Sequence, residues 1–191
     1  MRRIVLATVL AALPVAAAFG ASYQVDPRHS QVRFTYSHLG FANITGRFDA
    51  LEGRIVYDPA SPAASSVAMT VAIDSISTGV AALDDHLRRD DFFDAASHPS
   101  ASFTSTAVEP AGEGRLRVTG DLGIRGITRQ VVFDVTVNKV GTHPMRNVPA
   151  AGFDAVARIR RSDFGIDKHV PNIPDEVRIE VSVEALGGAG D

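Results

Sequence analysis

The stretch VRIEVSVEA, Val177–Ala185, alternates without a fault: Val177, Ile179, Val181 and Val183 fall on one face, and Arg178, Glu180, Ser182 and Glu184 on the other. A period of two is the signature of a β-strand with one dry and one wet face, because successive side chains leave opposite sides of the pleat. The same reading extends along the chain. VRFTYSH sets Val32, Phe34, Tyr36 and His38 on one face, and VAMTVAI does so with Val67, Met69, Val71 and Ile73. RLRVTGDLGIR aligns Leu116, Val118, Leu122 and Ile124, VVFDVTVNK aligns Val131, Phe133, Val135 and Val137, and FDAVARIRR aligns Phe153, Ala155, Ala157 and Ile159. SASFTSTAVE adds a strand with Phe103 facing in. TGRFDA and GRIVYD flank Leu51-Glu52-Gly53, which reads as a tight turn or as a bulge in one bent strand.

Turn residues separate these runs at Asp58-Pro59, Pro110-Ala111-Gly112, Gly126 and the Thr142 to Pro149 loop. The count is about eight strands, and one-sided alternation implies antiparallel pairing. Closing eight strands into a barrel removes both edges and leaves an interior that side chains fill or that holds one small ligand. A two-sheet sandwich is the competing solution. Only Val80 to Phe93 breaks the rule. Val80, Leu83 and Leu87 recur at helical spacing after Ser77-Thr78-Gly79, which reads as one helix with a cap region. The fold class is therefore all-β, with one or two short helices.

The ends of the chain differ from its middle. Met1-Arg2-Arg3 followed by the apolar run Ile4 to Ala18, with small residues before a cleavage point after Gly20, reads as a secretory signal peptide over 1–20. Residues 21–187 then form one domain and 188–191 a flexible tail. Loss of Arg2 and Arg3 takes the formal charge from −3 to −5. That balance argues against a nucleic-acid partner and against docking to an anionic membrane surface. With no cysteine in the chain, stability rests on the core and not on disulfides.

Two places carry the residue types of chemistry. In VDPRHSQV, Asp26, His29 and Ser30 are the types of a hydrolase triad, but they lie in one short segment and no Gly-x-Ser-x-Gly elbow accompanies them. Turn hydrogen bonding explains them better. In VAALDDHLRRDDFFDAASHPSASF, Val80–Phe103, five aspartates crowd Arg88 and Arg89. Pairs at Asp84/Arg88 and Asp85/Arg89 have the i,i+4 spacing of an ordinary helix surface. A metal site from Asp84, His86, Asp90 and His98 would need another element to fold over it. The six histidines, His29, His38, His86, His98, His143 and His169, show no metal-ligand spacing. His38 stands out by ending an apolar stripe, where it would orient a head group or sit satisfied at a barrel rim. The expected interior lining is Phe34, Tyr36, Phe48, Met69, Val71, Phe103, Leu122, Phe133, Phe153 and Ile159, with no inward acid pair and no inward lysine.

Several motifs in order resemble those of the YceI-like family of exported bacterial lipid-binding proteins. They are YQVDPRHSQVRFTYSHLG, ITGRFDALEGRI, DSISTGVAALDDHLRRDDFFDAASHPSASFTS, VTGDLGIRGITRQVVF and RIRRSDFGI, spanning Tyr23 to about Ala185. Tyr23 stands where the family commonly has Trp. The resemblance implies an eight-stranded lipocalin-like barrel whose lumen holds a long polyisoprenoid chain. It also implies a periplasmic carrier or store, not an enzyme. The Asp-rich stretch would then be a helix and loop at the barrel's end. Gly141 to Phe153 and Asp167 to Glu176 would reshape the mouth.

The expected ligand is an isoprenoid lipid with a polyprenyl or quinone-type chain. At ~0.8 kcal/mol per buried CH₂, one five-carbon unit gains about 4 kcal/mol gross. Eight such units would exceed the ceiling of about 18–21 kcal/mol for any non-covalent complex, so ordering costs must cancel much of it. The tail alone drives binding and the head group needs few contacts. Val32, Phe34, Tyr36, His38, Phe48, Met69, Val71, Phe103 and Phe133 are the expected ligand-binding residues, with no catalytic residue, metal or cofactor. A homodimer is compatible with the sequence, and no integral membrane segment remains after signal cleavage. The rival readings are a metal-dependent or hydrolytic enzyme using Asp26, His29 and the Asp84–His98 region, and a structural protein with a filled core.

Overall fold

The computed structural model describes residues 20–188. The expected signal peptide, apart from Gly20, and residues 189–191 of the expected tail lie outside the described residues. Eleven strands form a single antiparallel sheet: β1 (Ala21–Val25), β2 (Gln31–His38), β3 (Ala42–Phe48), β4 (Leu51–Tyr57), β5 (Ser66–Ala72), β6 (Ile76–Ser77), β7 (Ser100–Pro110), β8 (Arg115–Ile124), β9 (Ile127–Thr142), β10 (Pro149–Arg160) and β11 (Glu176–Gly187). Three pairs act as single bent strands. β11 pairs with both β1 and β2, β1 and β2 pair in turn with β4 and β3, and β4 and β3 with β5 and β6. The ring is thus an eight-stranded closed barrel in which each strand neighbours the next along the chain. Closure selects the barrel over the sandwich.

The bend between β3 and β4 falls at Asp49-Ala50, and Leu51-Glu52-Gly53 is inside β4. The chain there is one bent strand. β7 contains an irregularity the alternation does not announce. Its register slips between Ser105 and Ala107, so Ala101 and Phe103 point inward before the slip and Val108 after it. One extra residue reverses which parity faces the core. The β8–β9 hairpin turns on Arg125-Gly126, both at positive φ (52° and 71°), as a two-residue primed turn demands.

The helix is shorter than the sequence implies. α1 covers Ala81–Leu87, and the chain then turns back on itself, with the Phe93 amide donating to the Leu87 carbonyl and Asp94 at φ 50°. Leu83, Leu87, Phe92 and Phe93 all pack on the core. At about 100° per residue a continued helix would set Phe92 on the face opposite Leu83, away from the core it packs on. The expected Asp84/Arg88 and Asp85/Arg89 pairs are replaced. Asp84 accepts the amide and hydroxyl of Thr78, each at 2.6 Å, tying the helix to the stretch that leads into it, while Arg88 pairs with Asp85 at 3.0 Å. Arg88 also donates to the carbonyls of Asp74 and Ile76, stitching this 78–99 segment across one end of the barrel.

Candidate functional site

Glycines and aromatics shape the lumen together. The Phe34 ring lies over Gly46, its partner across β2 and β3, and the Phe103 ring lies over Gly120. A Cβ at Gly120 would stand 2.5 Å from both Phe103 Cζ and the Thr104 carbonyl oxygen. The rings lie along the wall where a side chain would otherwise stand, and they leave space at the axis.

That space is divided. A deep cavity of about 150 Å³ is lined by Met69, Val71, Phe103, Phe133 and their neighbours. A mouth cavity of about 270 Å³ is lined by Phe34, Tyr36 and His38, by Leu83, Leu87, Phe92 and Phe93 of the 78–99 segment, and by residues of the loop after β10. Val32, Phe48, Ala101, Ile124 and Ile179 border both and form a waist. Phe48 stands at it, with its ring 5.7 Å from Phe34 and 5.8 Å, edge-on, from Phe93. All nine residues expected to bind ligand therefore border one cavity or both. The far end is stopped by Tyr57 and Phe153, edge-to-face at 5.4 Å. The elements missing from the sequence reading are the apolar side chains of the 78–99 segment and the loop. Neither has an alternating pattern to mark it as lining.

The mouth is more polar than expected. Lys168, Arg161, Arg33, His38, His86 and His169 border it and no Asp or Glu does. The expectation of no inward lysine fails because Lys168 comes from a loop and not a strand. Arg161 is buried and donates to the carbonyls of Pro174, Ile166, Lys168 and Ile173. Five fixed donors on a planar group let one side chain hold a whole irregular loop. Burial lowers the Arg161 pKa, and Asp175, Asp167 and Tyr36 oppose the shift. Burial likewise raises the Tyr36 phenol, against the pull of Arg161. Lys168 pairs with Asp91, which His86 approaches at 4.0 Å. Arg125 ties the Asp90 and Gly165 carbonyls together. Of the two segments expected to reshape the mouth, Asp167 to Glu176 borders it through Lys168, His169 and Ile173, and no residue of Gly141 to Phe153 does. The 143–148 loop lies elsewhere.

That loop meets the residues of the enzymatic alternative. Asp26 Oδ2 lies 3.1 Å from His29 Nδ1 and 3.4 Å from Arg146 Nη2, and Arg28 grips both of its oxygens. Burial pushes the Asp26 carboxyl up, but the Arg28 amide, His29 and the Arg28 guanidinium hold it below the ordinary value. Glu184, on the outer face of β11, faces His143 at 3.3 Å. Asp26, His29 and Glu184 are close enough together to share a metal ion. Such an ion would compete with two guanidinium groups for Asp26. Ser30 is turned away: its hydroxyl donates to the Glu184 carbonyl and accepts the Glu184 amide, both at 3.1 Å, so the triad geometry is not met. In the other region, Asp84 is bound to Thr78, His86 packs on Phe92, and His98 stands 4.0 Å from Asp94. Asp84, His86, Asp90 and His98 are not brought together as one ligand set among the described residues.

Comparisons with known proteins agree with the barrel. The chain is 37% identical over 191 residues to a UPF0312 protein of Vibrio cholerae, covering 97% of this chain and 99% of that one. The crystal structure of Burkholderia cenocepacia BcnA matches with a TM-score of 0.77 and 31% identity, over 84% of this chain and 98% of that chain. A polyisoprenoid binding domain from Saccharophagus degradans, implicated in plant cell wall breakdown, shares the fold at a TM-score of 0.68 and 16% identity, over 88% of this chain and 99% of that chain. Residues 23–185 match the YceI-like domain, and the chain belongs to the YceI-like domain family.

Proposed function

We propose that this is an exported, periplasmic binding protein that holds an isoprenoid lipid in its barrel for transport or storage, without covalent chemistry. The observation that carries the reading is the lumen itself: two adjoining cavities walled almost wholly by apolar side chains and open toward the 78–99 segment. An unbranched series of apolar walls gives a long tail somewhere to go and gives a polar substrate nothing to bind. The polyisoprenoid binding domain with the same fold lends support. Val32, Phe34, Tyr36, Phe48, Met69, Val71, Phe103 and Phe133 contact the tail, and His38 stands by the head group. The basic lining around Lys168 suits a head group that presents acceptor oxygens. Among the described residues no helix is long and apolar enough to cross a membrane. The test is mass spectrometry of an organic extract from protein purified out of the periplasm without detergent. A stoichiometric isoprenoid is expected. Lipid-free protein that also refuses added polyprenyl lipids would overturn the reading in favour of a filled barrel.

A further inference from the structure

The barrel wall is uneven at its mouth. β11 pairs with β2 only as far as Thr35, while Tyr36, Ser37 and His38 pair with β3 alone. On the other side, β6 reaches β3 only at Arg47 and Phe48. Beyond Thr35 and Gly46 the β2–β3 hairpin is therefore a finger with no ladder partner on either side, and its tip projects past the packed Tyr36. At ~3.3 Å per residue, His38 lies about 10 Å past the last ring pairing at Thr35. Leu39 and Gly40 turn the tip at positive φ, and Leu39 and Phe41 are 48% and 91% exposed.

The composition of the finger is as unusual as its position. From Thr35 to Gly46 there is no Asp, Glu, Lys or Arg, and His38 is the one titratable side chain besides Tyr36. A projecting hairpin facing water alone would gain by carrying charge, which also keeps free strand edges from pairing. An apolar, charge-free tip suits the interfacial layer of a bilayer, where each charge is costly and an aromatic ring is not. The finger is continuous with the lumen: His38 and Tyr36 border the mouth cavity. Across the mouth, His169 also borders the cavity and is followed by Val170, 38% exposed. The neighbouring 84–94 segment carries five aspartates against two arginines, and Lys168 at the mouth is paired with Asp91, so this end has no unopposed cationic cluster to draw it to anionic lipid.

We infer that the Leu39–Phe41 finger tip is a docking element for a zwitterionic lipid surface, seating the barrel mouth on the bilayer from which its ligand comes. The choice of a lipid surface over a protein rests on the lipid-holding reading of the lumen; the docking itself needs no occupied lumen.

The chain has no tryptophan, so Phe41→Trp places a single reporter at the tip. Met145→Trp is the matched control: Met145 is 87% exposed but sits on the β9–β10 loop at the far end of the barrel. Mature protein would be mixed with phosphatidylcholine vesicles, some carrying brominated acyl chains. The Phe41→Trp emission should shift to the blue and be quenched by the brominated lipid, and the Met145→Trp emission should do neither. Replacing part of the phosphatidylcholine by phosphatidylglycerol should not strengthen the response. In flotation, a Leu39→Ser/Phe41→Ser variant should lose at least tenfold in vesicle binding while its uptake of a polyprenyl lipid from solution stays within twofold. A silent Phe41→Trp reporter overturns the inference and points to a protein partner. Equal shifts at both positions overturn it as unspecific adsorption, and a response that grows with phosphatidylglycerol overturns the lipid class. Failed lipid uptake by the parent protein with docking intact would count against the lumen reading alone.

Discussion

Gly120 shows how one hydrogen atom in place of a side chain shapes a lumen. Phe103 can lie flat on the wall only because nothing projects from Gly120. Gly120→Val should push the ring toward the axis and destabilise the fold by ~1–3 kcal/mol, read as a lower melting temperature and a weakened uptake of polyprenyl lipid. Arg161 works by the same economy of space, with one guanidinium serving four carbonyls. Arg161→Lys keeps the charge but not the fork, and orphaned carbonyls cost about 1–3 kcal/mol each when buried. A denaturant titration should therefore show a loss of at least ~2 kcal/mol. Neither role could be read from the sequence. Gly120 falls on the inward parity of β8, but which ring covers it depends on the register with β7. Arg161 has the look of a surface residue until the loop it holds is known.

Among the elements, the 78–99 segment departs most from its sequence reading. Helical spacing at Leu83 and Leu87 identifies the short helix, while Val80 stands at its N-cap and is exposed, and the packing of Phe92 on the core goes with its early end. Asp84 holds Thr78, ahead of the helix, from a position that looks like a salt-bridge partner's. Its bonds with Thr78, opposed by burial, hold its carboxyl below the ordinary value of 3.8. Burial raises Asp175 against the Ser162 hydroxyl and amide, and the bonds win there too. With Asp26 the direction is the same. A depressed folded-state pKa means stability that is complete above the unfolded value and is lost as pH falls through the folded one. The melting temperature should hold steady from neutral pH to about pH 5 and fall steeply below pH 4. Asp84→Asn should melt lower at neutral pH and show a shallower acid slope, because the group that titrates is gone.

For the molecule as a whole, the waist at Phe48 makes the lumen two chambers. On the proposed lipid-holding reading, a long tail would have to pass this ring, which packs edge-on against Phe93, to reach the deep cavity. Phe48→Leu should raise affinity for a twenty-carbon isoprenol relative to a ten-carbon one, the short chain being held by the mouth cavity alone. Isothermal titration of the two would measure the ratio, and an unchanged ratio would remove Phe48 from the ligand path. A ligand that fills both chambers should also stabilise the barrel by about 2.7 kcal/mol at a hundredfold excess over its Kd.

Alternation along β2, β8, β9, β10 and β11 by itself determined an antiparallel sheet with these inward faces, since period two leaves each strand only one way to bury its apolar side. Val32, Phe34, Tyr36 and His38 on β2 and Phe133 on β9 were legible for that reason, as were Met69 and Val71 from the same alternation in β5. What the tertiary structure decided is whatever depends on two strands at once or on no strand at all. Register placed Phe34 over Gly46, slipped β7 at Ser105, and left the β2–β3 hairpin standing beyond its neighbours. Loop closure carried Lys168 and Arg161 to the mouth and took Ser30 away from His29. Local pattern encodes which side of a strand is dry. The space between dry sides, and what an irregular loop brings to its edge, arises only when distant segments close the ring.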